Sequence, residues 1–500
     1  MFSWLNNIRE RVRNLNKNIN EYQKDTIIQS LPSLAYVNKA KKLIDKGNLK
    51  EAEEQLKKAL ELPQEDALVY KYLGIIYDKS LRFFDAVEMY QKSADIAPQD
   101  KNIWQKLGFA LVNIQEYDRA EKSFDNANKI SPANSDTFTG WGMALMKNEK
   151  YEEAHEKFVE ASKYNRYNFM AIFMSAVMEV KLEMFESASA KLKFLINLNP
   201  NEGNIYEYAH LRYLKNDYQD AIHYAEKSLE YNSNMLPSYL LIGKVYALQF
   251  DEKSLEYFLK AEEKGLINAN LYLEWGKALL RLSKYQVSKH YLLKAIDMEP
   301  ENVEIIEYLA LCNVLLDDMK DAPPLIEKLR SFDAESKVLA RIDGIMNYKN
   351  GNYKDAYYNL KNNAEEFDEN NFLNYYYMAK ASEKLKDDTR VKDSYESAVL
   401  KNPKYTQAYI EYARYLLSKN NFAEAQRKLR KIIKFEPENI EILNLMFHIS
   451  YILVKENLCE YNIKETISIA QKISPDLFKY QNELDDLTEI RNSKFEREKS

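Results

Sequence analysis

A 34-residue spacing of apolar and small residues constrains the fold of this chain more than any other feature. The spacing is clearest in residues 101–134, where the repeated positions hold Trp104, Leu107, Gly108, Leu111, Tyr117, Ala120, Phe124, Ala127 and Pro132. The first four share one face of a helix, and Ala120, Phe124 and Ala127 share one face of another. Pro132 ends the second helix because it has no amide hydrogen to donate. The stretch therefore predicts two amphipathic helices that approach closely at Gly108 and Ala120.

The same pattern returns along most of the chain. Twelve clear copies occupy residues 33–439, and a degenerate thirteenth copy occupies residues 440–474. Residues 1–32 are expected to form an amphipathic helix or cap, and residues 475–500 a capping helix with a charged tail. A single helix pair cannot bury its own apolar face, so the copies must stack on one another. In the ninth copy, Pro323 and Pro324 fall in the first turn of the second helix and predict a delayed helix start.

These positions resemble the tetratricopeptide repeat family. The resemblance implies an all-α fold, a right-handed superhelical solenoid of stacked antiparallel helix pairs. It also implies a non-catalytic scaffold or adaptor that binds a peptide or helix of partner proteins in its concave groove. The resemblance spans residues 33–474 and is specific for the fold, whereas many functions share this architecture.

Composition restricts the other classes of protein. The chain is 46% apolar and 30% charged, with 11 Gly and 12 Pro in 500 residues, as expected of helices joined by short turns. The net charge of -6 argues against a general polyanion binder, so we do not expect nucleic acid as a partner. We find no secretory signal, and two cysteines are too few for a disulfide framework. A cytoplasmic location is expected.

The sequence carries none of the usual catalytic or metal-binding motifs. It has no phosphate loop, no HExxH, no paired CxxC and no GxSxG. Its five histidines lie in different repeats, without a second ligand one helical turn away. The glycines of Gly140-Trp141-Gly142 occupy helix packing positions. We therefore expect neither an enzyme nor a cofactor nor a metal site.

The first helix of each pair lines the groove in proteins of this family, and the corresponding positions of the early repeats are apolar. They hold Phe109, Met143, Met146, Met170, Phe173, Val177, Tyr206, His210 and Tyr213. Methionine is flexible and polarizable, so a groove surface that is rich in methionine can repack around varied apolar ligands. One hypothesis is a hydrophobic groove for an amphipathic helix or extended peptide. The alternative is that part of this set belongs to the core between repeats.

The same positions become basic in the later repeats. They hold Lys244, Lys277, Arg281, Arg341, Lys380 and Arg414. A groove of this kind would bind acidic side chains or the C-terminal carboxylate of a partner. The alternative is that these cations are simply solvated on a wide helical surface.

The first nineteen residues form a separate basic amphipathic pattern. Its apolar positions are Phe2, Leu5, Ile8, Val12, Leu15 and Ile19, and its cations are Arg9, Arg11, Arg13 and Lys17. One interpretation is a cap over the first repeat. The other is a partner-docking or membrane-surface helix with Phe2 and Trp4 at its tip, which would make the protein a peripherally anchored assembly factor.

Overall fold

The structure, a computed structural model, describes residues 32–332, 336–364, 370–457 and 460–497. In this part of the chain 27 α-helices follow one another as thirteen packed pairs and a final helix, without a strand. The fold is thus the all-α solenoid that the sequence predicts. The expected amphipathic helix of residues 1–19 lies outside the described residues. The chain divides into unit 1, which ends at Tyr231, and unit 2, which begins at Asn232.

Unit 1 contains pairs 1 to 6. Their helices are α1 (Leu34–Asp45), α2 (Leu49–Leu60), α3 (Ala67–Lys79), α4 (Phe83–Ile96), α5 (Lys101–Asn113), α6 (Tyr117–Ile130), α7 (Ser135–Lys147), α8 (Tyr151–Tyr164), α9 (Phe169–Lys181), α10 (Phe185–Leu198), α11 (Glu202–Leu214) and α12 (Tyr218–Tyr231). Each helix packs on its partner, and the first helix of a pair also packs on the second helix of the pair before it. This stacking buries the apolar faces that a single pair leaves exposed.

Unit 2 contains pairs 7 to 13 and the final helix. Its helices are α13 (Leu236–Leu248), α14 (Lys253–Glu263), α15 (Ala269–Arg281), α16 (Tyr285–Met298), α17 (Val303–Leu315), α18 (Ala322–Phe332), α19 (Lys337–Lys349), α20 (Tyr353–Ala364), α21 (Asn371–Leu385), α22 (Asp388–Lys401), α23 (Thr406–Ser418), α24 (Phe422–Ile432), α25 (Ile440–Asn457), α26 (Glu460–Ala470) and α27 (Gln481–Arg497). Helix α18 begins at position 20 of its repeat, whereas α16 begins at position 17 of its own. Pro323 and Pro324 stand in its first turn, which agrees with the predicted delay.

Short polar side chains start most of the first helices. The capping residues of pairs 2 to 6 and 8 to 10 are Asp66, Asp100, Asn134, Asn168, Asn201, Asn268, Asn302 and Ser336. Each accepts a hydrogen bond from a backbone amide two or three residues further on. Such a cap stabilises a helix by about 1 kcal/mol and fixes where the first helix begins. The spacing of these caps therefore reinforces the period set by the apolar residues.

A residue in the left-handed backbone conformation forms the turn between the two helices of most pairs. The non-glycine residues in this conformation are Leu81, Gln115, Glu149, Glu183, Asn216, Phe250, Ser283, Asp317, Lys386 and Asn420, with φ between 53° and 64°. Glycine occupies the same place in pairs 1 and 10, as Gly47 and Gly351. The turn reverses the chain within a few residues, so the two helices of a pair pack antiparallel.

The structure has the close helix contacts that are expected where glycine recurs at one position of the repeat. A Cβ atom on Gly108 would lie 2.7 Å from Phe124, and one on Gly142 would lie 2.8 Å from Phe158. Both phenylalanines are fully buried. A Cβ atom on Gly140 would lie within 2.7 Å of both Phe124 and Phe109, so this glycine also has a packing role.

Unit 2 closes on itself through contacts between pairs that are distant in sequence. The Phe250 and Phe372 rings meet edge to face at 6.1 Å, and the Asn402 amide donates to the carbonyl oxygen of Arg281 at 3.2 Å. Phe372 also packs edge to face on Tyr405, with ring centroids 4.9 Å apart. The turn of pair 7 and the end of α15 therefore contact the start of pair 11 and the loop before pair 12, where Arg281, Phe372, Asn402 and Tyr405 are buried.

Candidate functional site

The first helices of pairs 2 to 4, with the start of pair 5, line an open cleft of roughly 660 Å³ in unit 1. The lining residues are Lys71, Tyr72, Ile75, Asn102, Gln105, Lys106, Phe109, Asp136, Thr139, Asn168 and Met170. They recur at equivalent positions of successive repeats because each first helix presents the same face. Of the predicted site residues, Phe109 and Met170 belong to this set.

The two apolar side chains predicted for this site differ in how firmly they are packed. Phe109 packs edge to face on the buried Phe124, with ring centroids 5.1 Å apart, and remains 37% exposed. Met170, in the first turn of α9, is 53% exposed. An apolar ligand would therefore meet one rigid aromatic ring and one adaptable thioether.

The polar side of the cleft carries two lysines, of which one is paired with a carboxylate and the other is not. The Lys71 ammonium lies 2.8 Å from the Asp100 carboxylate. Lys106 is half-buried, and no described carboxylate lies within ion-pair distance of it. Burial lowers the pKa of Lys106; Asp78 opposes this shift, and Lys71 and Lys79 add to it. The charged form of Lys106 is thus poorly compensated, and an anion placed beside it would be stabilised.

Amide and hydroxyl groups connect the repeats along the cleft. Gln105 donates to Thr137 at 2.6 Å, and Asn168 donates to Thr139 at 2.9 Å. These hydrogen bonds join each first helix to the next and fix the spacing of the lining residues.

The predicted methionines divide between the cleft and the core. Met143, Met146 and Val177 are partly buried and pack on the cluster of Leu145, Ala154, Phe158 and Met178. Phe173 packs in the same way on the cluster centred on Leu192. These four predicted residues therefore pack on clusters formed by the helices of pairs 4 to 6.

The predicted aromatic residues of pair 6 form a stack along α11. The Tyr206 and His210 rings are 6.2 Å apart at an interplanar angle of 5°, and His210 and Tyr213 are 6.5 Å apart at 16°. The Glu207 carboxylate lies 3.8 Å from His210. Burial, with a smaller contribution from Glu207, raises the pKa of Tyr206 to about 12. The stack therefore offers an aromatic surface along α11.

The basic residues predicted for unit 2 are compensated by the chain itself. The Lys244 and Lys277 ammonium groups each lie 3.3 Å from the buried Glu274 carboxylate, and Lys277 also lies 2.8 Å from Glu304. Burial opposes the ionisation of Glu274, but Lys277, Lys244 and Arg281 outweigh it and lower the pKa of this carboxyl. The charges of this cluster are thus compensated within the unit.

Two of the basic residues predicted for the groove of unit 2 are buried in the structure. Arg281 is 3% exposed and Arg341 is 0% exposed. The Arg341 Nε donates to Asn374 Oδ1 at 2.7 Å. Arg281 lies at the self-contact of unit 2, where its carbonyl oxygen accepts from Asn402, whereas Arg341 is covered in part by the next pair through Asn374. Further along, Lys380 lies 3.8 Å and Arg414 3.1 Å from Glu411.

Sequence reasoning missed most of the polar lining of the cleft. Lys71, Gln105, Lys106 and Thr139 were not among the predicted site residues, although they share first-helix faces with Phe109 and Met170. The signal was available, because position 5 of successive repeats reads Lys71, Gln105 and Thr139. They were missed because the groove was predicted from apolar residues, and these residues are polar.

The described residues contain neither a cluster of metal ligands nor a helix that could span a membrane. Nowhere among them do three His, Cys, Asp or Glu side chains come together as a metal would require. None of the helices in this part of the chain has the length and apolar character to cross a membrane.

Comparison with protein families gives two matches. Residues 29–199 match the family described as Psidin, N-terminal TPR repeats region, and residues 273–336 match the family described as Tetratricopeptide repeat. The TPR repeat-containing protein YpiA of Bacillus subtilis (strain 168) is 23% identical over 262 residues. The match covers 52% of this chain and 53% of that protein, so the chain spans about half the length of this relative.

Comparison with solved structures gives matches of low sequence identity. A chain of the APC/C hetero-tetramer Cut9-Hcn1 is 12% identical, with 92% of this chain and 98% of that chain covered and a TM-score of 0.49. PilF of Pseudomonas aeruginosa is 20% identical, with 40% of this chain and 92% of that chain covered and a TM-score of 0.36. The repeated sequence positions, the thirteen helix pairs and the two family matches identify the chain as a tetratricopeptide repeat protein.

Proposed function

We propose that this protein is a non-catalytic scaffold whose unit 1 binds a segment of a partner protein in the cleft of pairs 2 to 5. Tetratricopeptide repeat architecture is typical of protein-interaction scaffolds. The observation that supports this site is the alignment of the half-exposed Phe109 and Met170 with the poorly compensated Lys106 along one open cleft. Such a surface suits an extended or helical peptide with apolar side chains and a carboxylate.

The partner segment should have a definite chemistry. Its apolar side chains would contact Phe109 and Met170, and an acidic side chain would lie near Lys106. Unit 2 is a weaker candidate for the same role, because its cations already face the chain's own carboxylates.

A displayed library of random peptides, selected on the purified full chain, tests this proposal. Recovered peptides should be apolar with at least one acidic residue. Met170→Glu should weaken their binding by about tenfold or more, because it places a charge against the apolar side chains of the ligand. Leu198→Glu is the matched control, since Leu198 is 57% exposed on α10 and does not line the cleft.

The acidic preference is tested separately. Lys106→Gln should weaken peptides that carry a glutamate and leave their glutamine counterparts unchanged. Equal binding to wild type and Met170→Glu, or loss of binding only with Leu198→Glu, would place the binding surface elsewhere on the chain.

A further inference from the structure

One lysine in the cleft of pairs 2 to 5 has no partner among the described residues. Lys106 lines the cleft and is half-buried, and no described group forms an ion pair or a hydrogen bond with its ammonium. Lys71, which lines the same cleft, is instead paired with Asp100 at 2.8 Å. The carboxylate among the lining residues, Asp136, is exposed and lies beyond ion-pair distance of Lys106. The amine of Lys106 is therefore open to a ligand and not engaged by the fold.

The repeat does not require a lysine at this position. The residues equivalent to Lys106 in pairs 2, 4 and 5 are Tyr72, Gly140 and Met174, and none of them is charged. A half-buried ammonium costs free energy unless a counter-charge compensates it. Its presence in pair 3 and not in the neighbouring pairs indicates a role at the cleft rather than in packing.

The surroundings of Lys106 favour its neutral form. Burial lowers the pKa of Lys106; Asp78 opposes this shift, and Lys71 and Lys79 add to it. The Asp78 carboxylate already accepts a hydrogen bond from the Tyr90 hydroxyl at 3.1 Å. A lysine that is desolvated beside other cations is a stronger nucleophile near neutral pH, because a larger fraction of it is uncharged.

We propose that Lys106 is a site of acylation by a small thioester that enters the cleft, and that this modification changes the charge preference of the cleft. The cleft is open and has a volume of roughly 660 Å³, which is large enough for a short acyl group. The change of preference rests on the function proposed above, whereas the acylation itself does not.

The reaction balances without a further reactant. The lone pair of the neutral Nζ attacks the carbonyl carbon of the thioester, so the C–N bond forms and the C–S bond breaks as the thiolate leaves. The nitrogen then gives one proton to the solvent, which protonates the thiolate. The product is an uncharged amide, so the modified Lys106 no longer attracts an acidic side chain of a ligand.

Acetylation of the purified full chain, with no peptide present, tests the site. The probe is S-acetyl-N-acetylcysteamine, a small thioester, and mass spectrometry measures the rate at each lysine. Near neutral pH, Lys106 should react at least about threefold faster than Lys122, an exposed lysine of α6 that likewise has no described ion pair. The advantage should shrink as the pH approaches about 10.4, where an ordinary lysine is also half neutral. Equal or slower reaction of Lys106 near neutral pH would overturn the proposal.

Two controls show whether the reactivity comes from the fold and its charges. In the chain unfolded in guanidinium chloride, Lys106 and Lys122 should react at equal rates. Lys71→Gln should slow the reaction of Lys106 alone, because it removes a cation that disfavours the charged amine, and Lys71→Arg should keep the wild-type rate. A difference that persists in the unfolded chain would assign the reactivity to local sequence and contradict the proposal.

The change of charge preference is measured on the acetylated chain. The glutamate peptides selected on the chain should bind it more weakly than they bind the unmodified chain, and their glutamine counterparts should bind both equally. Lys106→Arg keeps the charge and cannot be acetylated, so the same treatment should leave its peptide binding unchanged. Selective acetylation of Lys106 with unchanged glutamate binding would overturn the change of preference and leave the acylation site standing. Loss of glutamate binding in the treated Lys106→Arg chain would assign the effect to other lysines.

Discussion

At the scale of single residues, one contact recurs in both units. A glycine in the first helix of a pair faces a large side chain of the second helix, as in Gly74/Tyr90, Gly108/Phe124, Gly142/Phe158, Gly243/Phe258, Gly276/Leu292 and Gly344/Leu360. The glycine sets how closely the two backbones approach, and the large side chain fills the space that remains. The pair is thus a single packing unit rather than two independent positions.

Gly108→Ala should destabilise the protein although alanine favours helices more than glycine does. The new Cβ would lie 2.7 Å from the fully buried Phe124, and such overpacking costs roughly 1 to 3 kcal/mol, against a propensity gain of about 1 kcal/mol. Gly203→Ala is the matched control, because the only neighbour of its Cβ is the Asn201 side-chain oxygen at 3.3 Å. Urea unfolding monitored by helicity measures both variants. A Gly108→Ala protein at least as stable as wild type would contradict this account.

At the scale of elements, the turns within the pairs do more than connect helices. Most are polar and exposed, but the turn of pair 7 carries Phe250, which contacts Phe372 at the start of α21. Phe372 in turn contacts Tyr405 in the loop before α23. One turn residue that departs from its repeat therefore contributes to the closure of unit 2.

Phe250→Asn should loosen this closure. Asparagine is well tolerated in the left-handed conformation, so the loss comes from the aromatic contact, and we expect a cost of roughly 1 to 2 kcal/mol. Hydrogen exchange of the Tyr405 amide, which donates to the Asn402 carbonyl oxygen, should become faster. Glu149→Asn, at the equivalent exposed turn of pair 4, is the control and should change neither quantity. Unchanged exchange at Tyr405 would show that Phe250 does not hold the closure.

At the scale of the whole molecule, tyrosine is the dominant aromatic residue, with 38 in 500 residues. Many of these side chains fill the space between helices in both units. Burial, helped by Glu262, raises the pKa of Tyr272 to about 12, and burial with Glu207 does the same for Tyr206. The folded chain therefore keeps phenols neutral that the unfolded chain would ionise near pH 10.

The protein should consequently lose stability in base. Because the folded pKa values lie above the unfolded value, the stabilisation is fully present below about pH 10 and is lost as the pH rises towards about 12. Tyrosinate absorbance and helicity, followed together, should change in one transition. Tyr272→Phe removes one such group and should retain more helicity within this range. Ionisation of the tyrosines near pH 10 with helicity unchanged would contradict the prediction.

The sequence by itself determined the repeating helix pairs, their close contacts and the late start of α18. Each of these follows from residues near one another in the chain, such as Gly108 and Phe124, or from the fixed geometry of Pro323 and Pro324. The apolar period is redundant across twelve copies, so drift in a few of them did not obscure it.

Only the tertiary structure decided which predicted groove residues are open. Phe109 and Met170 face a cleft, whereas Arg281 and Arg341 are buried. For Arg281 the difference arises because unit 2 closes through contacts such as that between Asn402 and Arg281, which are 121 positions apart. No local pattern carries that information, since the stacking angle accumulates over several pairs before the distant residues meet.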